Sequence, residues 1–339
     1  MKRGLLVLTL ILTLKLQLPL YAQQTGYWQQ SVDYDISVTL NDVDHTLDGM
    51  LDLRYKNNSP NTLTEIWFHL WPNAYRDNAT AFARQKAQQG ATDFLFAGED
   101  ERGYIDNLQF KVDGEAVTLT YDANNPDIAK LTLNKPLGSG ETIRITTPFH
   151  VKLPYCFSRL GHVGQQYQIT QWYPKPAVYD AKGWHPIPYL DQGEFYSEFG
   201  NFHVTITLPE NYVVGGSGDL LTASEVKWLD SLSAVTQNKD WSNTSMEFPP
   251  SSTQTKTLEY RIENAHDFAW FADKRFNVIR GEVELPESGR KVITYAYFPD
   301  KHGKNWMSAA GYVGRAVLFY SDHVGEYPWN VAQAVDGTL

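Results

Sequence analysis

The side chains in this sequence that could do chemistry are numerous but not assembled into a recognisable catalytic set. Nine histidines stand at 45, 69, 150, 162, 185, 203, 266, 302 and 323. No two lie four apart on a helix with a Glu between them, so the H-E-x-x-H pattern of a zinc peptidase is absent. The lone cysteine, Cys156, leaves no Cys pair for a structural zinc site and no internal disulfide. "GGSGD" at 215–219 lacks the last glycine of a nucleophile elbow and reads as a turn. No Gly-Lys-Ser/Thr phosphate loop is present, and "DVDHTLDG" at 42–49 has the wrong spacing for a calcium loop.

Two further groups remain. Glu194 and Glu198 flank an aromatic run in "DQGEFYSEFGNF". Paired carboxylates could hydrolyse a glycoside by acid–base catalysis, although an exposed strand edge explains them with less. The stretch "TQWYPKPAVYDAKGWH" (170–185) is more informative. Pro174, Pro176, Pro186 and Pro188 keep the backbone extended and oppose regular strand pairing, as in a segment lining an inter-domain groove. Trp172, Tyr173 and Trp184 read as packing between layers, with a sugar-stacking platform as the competing use. Gln171 differs from its neighbours, because an amide beside a packed Trp-Tyr pair needs a partner if it is buried.

The elements that must position these residues are mostly strands. "YDISVTLNDVDHTLDGMLDLRYKNNSPNTLTEIWFHLW" alternates apolar and polar residues and predicts strands near 34–40, 46–56 and 63–70. Residues 77–90 are a polar insert with a short helix, and "VDGEAV" is an Asp-Gly hairpin signal. Strands recur every 8–12 residues to about 152, the spacing of a sandwich. They resume at "FHVTITLP", "KTLEYRIENAHDFAWFA" and "KVITYAYFP", with the polar Ser/Thr-rich segment 221–256 expected as a loop or exposed hairpin. From about Lys301 the apolar spacing turns helical, predicting one helix near 304–324, which begins a differently built unit.

Composition agrees. The 339 residues suit about two domains of roughly 100–200 residues, and 42% hydrophobic with 14% aromatic content supplies ample core. Residues 1–22 carry Lys2 and Arg3, an apolar run interrupted by Lys15, and a small residue at a plausible cut point. That is the pattern of a secretory signal peptide; left uncut, it would serve as a membrane anchor. Cleavage removes three basic residues and no acid, so the 29 Lys+Arg and 39 Asp+Glu of the whole chain become 26 and 39, a net charge of −13. Such a surface repels nucleic acid. Secretion without disulfides suits a bacterial periplasm or exterior.

In four ordered stretches the chain resembles the amino-terminal region of the M1 family of zinc metallopeptidases (aminopeptidase N and leukotriene A4 hydrolase-like), in a secreted bacterial branch. These are "YDISVTLNDVDHTLDGMLDLRYKNNSPNTLTEIWFHLWPNAY", "TQWYPKPAVYDAKGWH" with "YLDQGEFYSEFGNFHVTITLPENYVV", "AHDFAWFADKRF", and "GEYPWNVAQAVDG". The resemblance implies a mainly β fold. A saddle-like β-sandwich domain would occupy about 27–285, and the truncated start of an α+β thermolysin-like catalytic domain would occupy 290–339. It implies peptide substrates with a free N-terminus, and it assigns Gln171, in "TQW", to binding the substrate's α-amino group.

In that family zinc activates the attacking water. The Gly-Met-Glu segment and H-E-x-x-H helix that serve it would lie beyond Leu339. The resemblance therefore implies that this chain alone binds no zinc, contains no catalytic residues and needs the missing catalytic domain as partner. The alternative is a stand-alone secreted module that binds peptides or glycans.

Overall fold

The computed structural model describes residues 27–242 and 244–338; the expected signal segment 1–22 lies outside them. The largest element is a nine-stranded sheet. Its central strands are Thr255–Ala265, Gly200–Pro209, Ser31–Asn41, Thr46–Lys56 and Thr142–Lys152, in that order. Alternation sets which face is buried: Val32, Tyr34, Ile36, Val38 and Leu40 point inward, whereas Asp35, Ser37 and Thr39 point to solvent. Neighbours pair antiparallel except for Ser31–Asn41 with Gly200–Pro209, which run parallel from Val32↔Gly200 to Thr39↔Thr207.

Two four-stranded sheets cover the apolar face. One orders Gly161–Val163, Gln166–Ile169, Trp270–Asp273 and Val213–Gly216; the other orders Lys175–Pro176, Leu63–His69, Ile128–Leu137 and Thr118–Tyr121. All three sheets meet in one core that includes Ile36, Leu53, Phe68, Leu131, Ile169, Trp172, Val204 and Trp270. The mainly β sandwich expected from the alternation is therefore present. The Asp-Gly hairpin signal is also met: Asp113 (φ 50°) and Gly114 (φ 86°) take the two left-handed positions between Lys111–Val112 and Glu115–Ala116.

The C-terminal part is built differently. Strands Asn277–Glu284 and Lys291–Phe298 pair antiparallel, and Val331–Val335 adds parallel to the second. The hairpin between them runs across residues 285–290, where the resemblance would end the β domain and begin the next. The helix expected near 304–324 is a single turn, Gly303–Trp306, followed by Ala309–His323. Its buried stripe of Ala310, Gly314, Val317 and Ser321 lies against this sheet, while Tyr312, Phe319 and Tyr320 face outward.

One expectation is corrected. Residues 223–237, read from sequence as loop or exposed hairpin, form the helix Ala223–Gln237. Its buried side is mostly polar, Glu225, Ser233 and Thr236 beside the single apolar Leu229. Ser233 Oγ accepts the Arg280 N–H at 2.9 Å, and Thr236 Oγ1 accepts the Val278 N–H at 3.3 Å. These hydroxyls satisfy backbone donors along the edge strand Asn277–Glu284, which would otherwise be open. A helix that buries one leucine among polar side chains carries little apolar periodicity, so the pattern did not reveal it.

The helix Ala309–His323 offers a clean test of this packing. A Cβ at Gly314 would meet Val283 Cγ1 at 2.6 Å, whereas one at Gly311 would approach only Arg315, at 3.9 Å. Gly311→Ala should raise stability by about 0.5–1 kcal/mol through helix propensity. Gly314→Ala should lower it by about 1–3 kcal/mol through overpacking. Denaturant unfolding of the two variants checks the opposite signs.

Candidate functional site

The aromatic stretch divides between core and surface. Trp172 is fully buried and donates Nε1–H to the Phe268 carbonyl at 3.0 Å. Its ring meets Trp270 edge-on at 6.3 Å and Tyr173 at 5.2 Å. Tyr173 is also buried, with its hydroxyl on Asp267 Oδ1 at 2.8 Å. Both therefore pack between the layers. Trp184 instead stands half-buried on the hairpin Val178–Asp180/Gly183–His185, against Tyr179. Pro176 falls on the two-residue edge strand Lys175–Pro176, the place in a sheet where a missing N–H is tolerated.

Gln171 lies where the chain leaves Gln166–Ile169 for this edge strand. Its φ of 50° is left-handed, a region that a long side chain occupies at a cost of roughly 1–3 kcal/mol. Its amide is gripped at both ends. Nε2 donates to Asp267 Oδ2 at 3.2 Å, and Oε1 faces the Thr170 hydroxyl at 2.7 Å. That hydroxyl also lies 2.8 Å from the Arg159 carbonyl. It carries one proton for two acceptors, so Gln171 Oε1 is left short of a donor.

Asp267 organises this corner. Beyond Gln171 on Oδ2, its Oδ1 accepts from the Tyr173 hydroxyl and the Phe268 N–H, both at 2.8 Å, with Lys175 Nζ at 3.5 Å. Lys175 is buried and also donates to the His266 carbonyl. Burial lowers the Lys175 pKa while Asp267 opposes the shift. Burial, reinforced by Lys175, holds His69 down to about 3. Asp267 and His266 line a cleft of about 410 Å³ that also takes in Gly216, Phe271, Trp329 and Gln333.

The last strand is stitched along the β sandwich beside this cleft. Trp329 Nε1 donates to the Glu263 carbonyl at 2.8 Å and Asn330 Nδ2 to Asp219 at 3.0 Å. Gln333 Nε2 reaches the Gly216 carbonyl, and Gln166 Nε2 reaches the Asp336 carbonyl at 2.9 Å. Thr338 N–H then points at Gln168 Oε1 at 3.4 Å. The segment after Val335 thus arrives just upstream of Gln171.

The remaining candidates are scattered. Glu194 is exposed, whereas Glu198 is buried beneath the backbone amides of Gln30 and Tyr179. Burial pushes the Glu198 carboxyl up to about 7. Two histidines stack on each other, His45 on His162 at 3.7 Å, and His185 pairs with Asp180 at 2.8 Å. Among the described residues, no three His, Cys, Asp or Glu side chains converge as a metal site. Sequence reasoning missed Asp267. The signal available was an acid at the mouth of the apolar run "DFAWFA", where a partly buried carboxylate needs several donors.

No protein-family model matches the sequence, and no curated protein matches it. Solved structures do resemble it. A two-domain M1 zinc metallopeptidase mutant bound to L-tryptophan matches at 15% identity and a TM-score of 0.52, over 92% of this chain and 57% of that one. A mutant M1 zinc metallopeptidase from Deinococcus radiodurans matches at 14% and 0.51, over 92% and 57%. A mutant from that organism bound to a Tyr-Ser-Ala substrate matches at 14% and 0.51, over 91% and 56%. At these identities the likeness establishes the fold: this chain has the architecture that M1 zinc metallopeptidases carry over the matched part. It spans less than two thirds of their length.

Glu198 provides a pH test of the packing around the site. Its pKa is raised in the fold from 4.5 to about 7, so the folded state holds a proton that the unfolded chain has released. Its contribution to stability is full below pH 4.5 and is lost as pH rises through 7. Relative to the parent, Glu198→Gln should gain stability on going from pH 5 to pH 8. Denaturation midpoints of both proteins at the two pH values measure this directly.

Proposed function

We propose that this chain is the amino-terminal part of a secreted M1-type zinc aminopeptidase that removes N-terminal residues from peptides. In this reading Gln171 binds the free α-amino group of the substrate. Residues 27–285 make up the β domain, 290–339 begin the catalytic domain, and residues 1–22 direct export. No helix among the described residues is long and apolar enough to cross a membrane.

The observation that carries this reading is the state of Gln171. The shared fold supplies a frame, and within it the residue singled out from sequence holds a strained backbone and a carbonyl oxygen lacking a full donor. An ammonium group carries three donors and no acceptor, and it suits that oxygen. Thr170 and Asp267 hold the amide at its two ends, and Asp267 lines the adjoining cleft. The last strand brings its end to Gln168 beside the same corner, so a catalytic domain continuing from there would face Gln171.

Zinc belongs to the complete enzyme of this proposal, where it supplies Lewis-acid activation of water. The described residues do not form its ligand set, and no step through the metal is assigned to them. The chain's own contribution is to bind and orient the amine end of the peptide.

The test is to sequence the coding region past the Leu339 codon and express the uninterrupted frame. A frame running into Gly-Met-Glu and then H-E-x-x-H, with zinc-dependent release of N-terminal residues, is the expected result. In that protein Gln171→Ala should raise KM for peptides with a free amine by about tenfold, the worth of one hydrogen bond to a charged group. An immediate stop codon, with peptide or glycan binding by the chain itself, would establish the binding-module alternative instead.

A further inference from the structure

We propose that Asp267 is the positioning residue that makes Gln171 a receptor for an ammonium group; the inference rests on the reading of Gln171 given above. A glutamine amide has nearly the same shape either way round, but one orientation offers an acceptor and the other a donor. Something must choose between them.

In this structure the choice falls to Asp267. With Nε2 toward it, the amide donates to Oδ2 at 3.2 Å. Turned round, Oε1 would face Oδ2 at that distance, two acceptors with no proton between them. Thr170 cannot make the choice. Its hydroxyl can donate to Gln171 Oε1 or, with its proton on the Arg159 carbonyl, accept from Nε2.

Asp267 acts by direction rather than as the ammonium's own counter-charge. Its Oδ1 is already taken by Tyr173, the Phe268 amide and Lys175, and the buried Lys175 ammonium balances its charge. The Tyr173 and Phe268 donors also hold the carboxylate in one rotamer. Gln171 Oε1 therefore keeps a fixed heading, with a lone pair unused. A protonated primary amine fits that heading, whereas an acylated amine brings fewer donors and a carboxylate brings none.

The isosteric change Asp267→Asn separates this role from a structural one. The Asn oxygen must stay on Tyr173 and Phe268, since both are donors, so its Nδ2 faces Gln171. The Gln171 amide then turns to accept from it, and Nε2 donates to Thr170. The hydrogen bonds to Tyr173, Phe268 and Gln171 are kept, the buried Lys175 loses its counter-charge at a cost in stability, and the outward face of Gln171 changes from acceptor to donor. Adding Gln171→Glu restores an acceptor, because a carboxylate can take the Asn proton and still offer free lone pairs.

The measurement is the binding of Tyr-Ser-Ala and of its N-acetylated form to the full chain, by saturation-transfer NMR titration. It compares the parent with Gln171→Ala, Asp267→Asn and the double variant Asp267→Asn/Gln171→Glu, each checked for a native fold by its NMR spectrum below its melting midpoint. The expected result is that Asp267→Asn loses the preference for the free amine by about tenfold, as Gln171→Ala does, and that the double variant recovers it. If Gln171→Ala loses the preference and Asp267→Asn keeps it, or if the double variant shows no recovery, the role of Asp267 is overturned while that of Gln171 stands. If the parent shows no preference, or Gln171→Ala keeps it, the reading of Gln171 itself fails. Should Asp267→Asn not fold, Tyr173→Phe loosens the carboxylate's rotamer, and it should reduce the preference in the same direction; an unchanged preference there also overturns the proposal.

Discussion

The parallel pairing of Ser31–Asn41 with Gly200–Pro209 is the constraint on which the rest of this molecule hangs. Two parallel neighbours cannot be joined by a tight turn, so the chain between them must leave the sheet and return. Here the crossover consists of everything from Asp42 to Phe199, including five further strands of the same sheet, one covering sheet and part of another. The return is close: a Cβ at Gly200 would sit 2.4 Å from the Val32 carbonyl oxygen, so only glycine lets the strands start side by side. Because the crossover must close over the apolar face, its final stretch carries Trp172 and Tyr173 into the core between the sheets.

The candidate site follows from that closure. Once Trp172 and Tyr173 are buried, the residue before them stands at the rim, and the chain bends there through a left-handed Gln171. The Tyr173 hydroxyl needs an acceptor inside the protein, and Asp267 supplies it. Asp267, itself partly buried, needs donors in turn, and Lys175, the Phe268 amide and Gln171 provide them. Hydrophobic burial of two aromatic rings thus leads, one polar group at a time, to a fixed amide beside an open cleft.

The C-terminal sheet follows different rules. It is joined to the sandwich by side chains that reach backbone carbonyls across the seam, from Trp329 on Glu263 to Gln333 on Gly216. Such bonds specify alignment more than they supply cohesion, since each exchanges a bond to water for one to protein. Cohesion comes from Val213, Phe276, Val278 and Tyr297, which form a second apolar cluster with Leu229 of helix Ala223–Gln237.

The sequence by itself determined the strands, their inward faces, the Asp-Gly hairpin and the change of character near Lys301, because each is written in a local period of two or near 3.6. It also singled out Gln171, as a polar residue out of place beside Trp172 and Tyr173. It could not show the helix Ala223–Gln237, whose buried side of Ser233 and Thr236 matters only once the backbone amides of Arg280 and Val278 are there to be satisfied. Nor could it show Asp267, which lies far from Gln171 along the chain and reaches it only when Trp270–Asp273 pairs with Gln166–Ile169. Burial of one residue is a local property that spacing can reveal. The partner that a buried polar group finds depends on which distant strands share a sheet, and only the tertiary structure decides that.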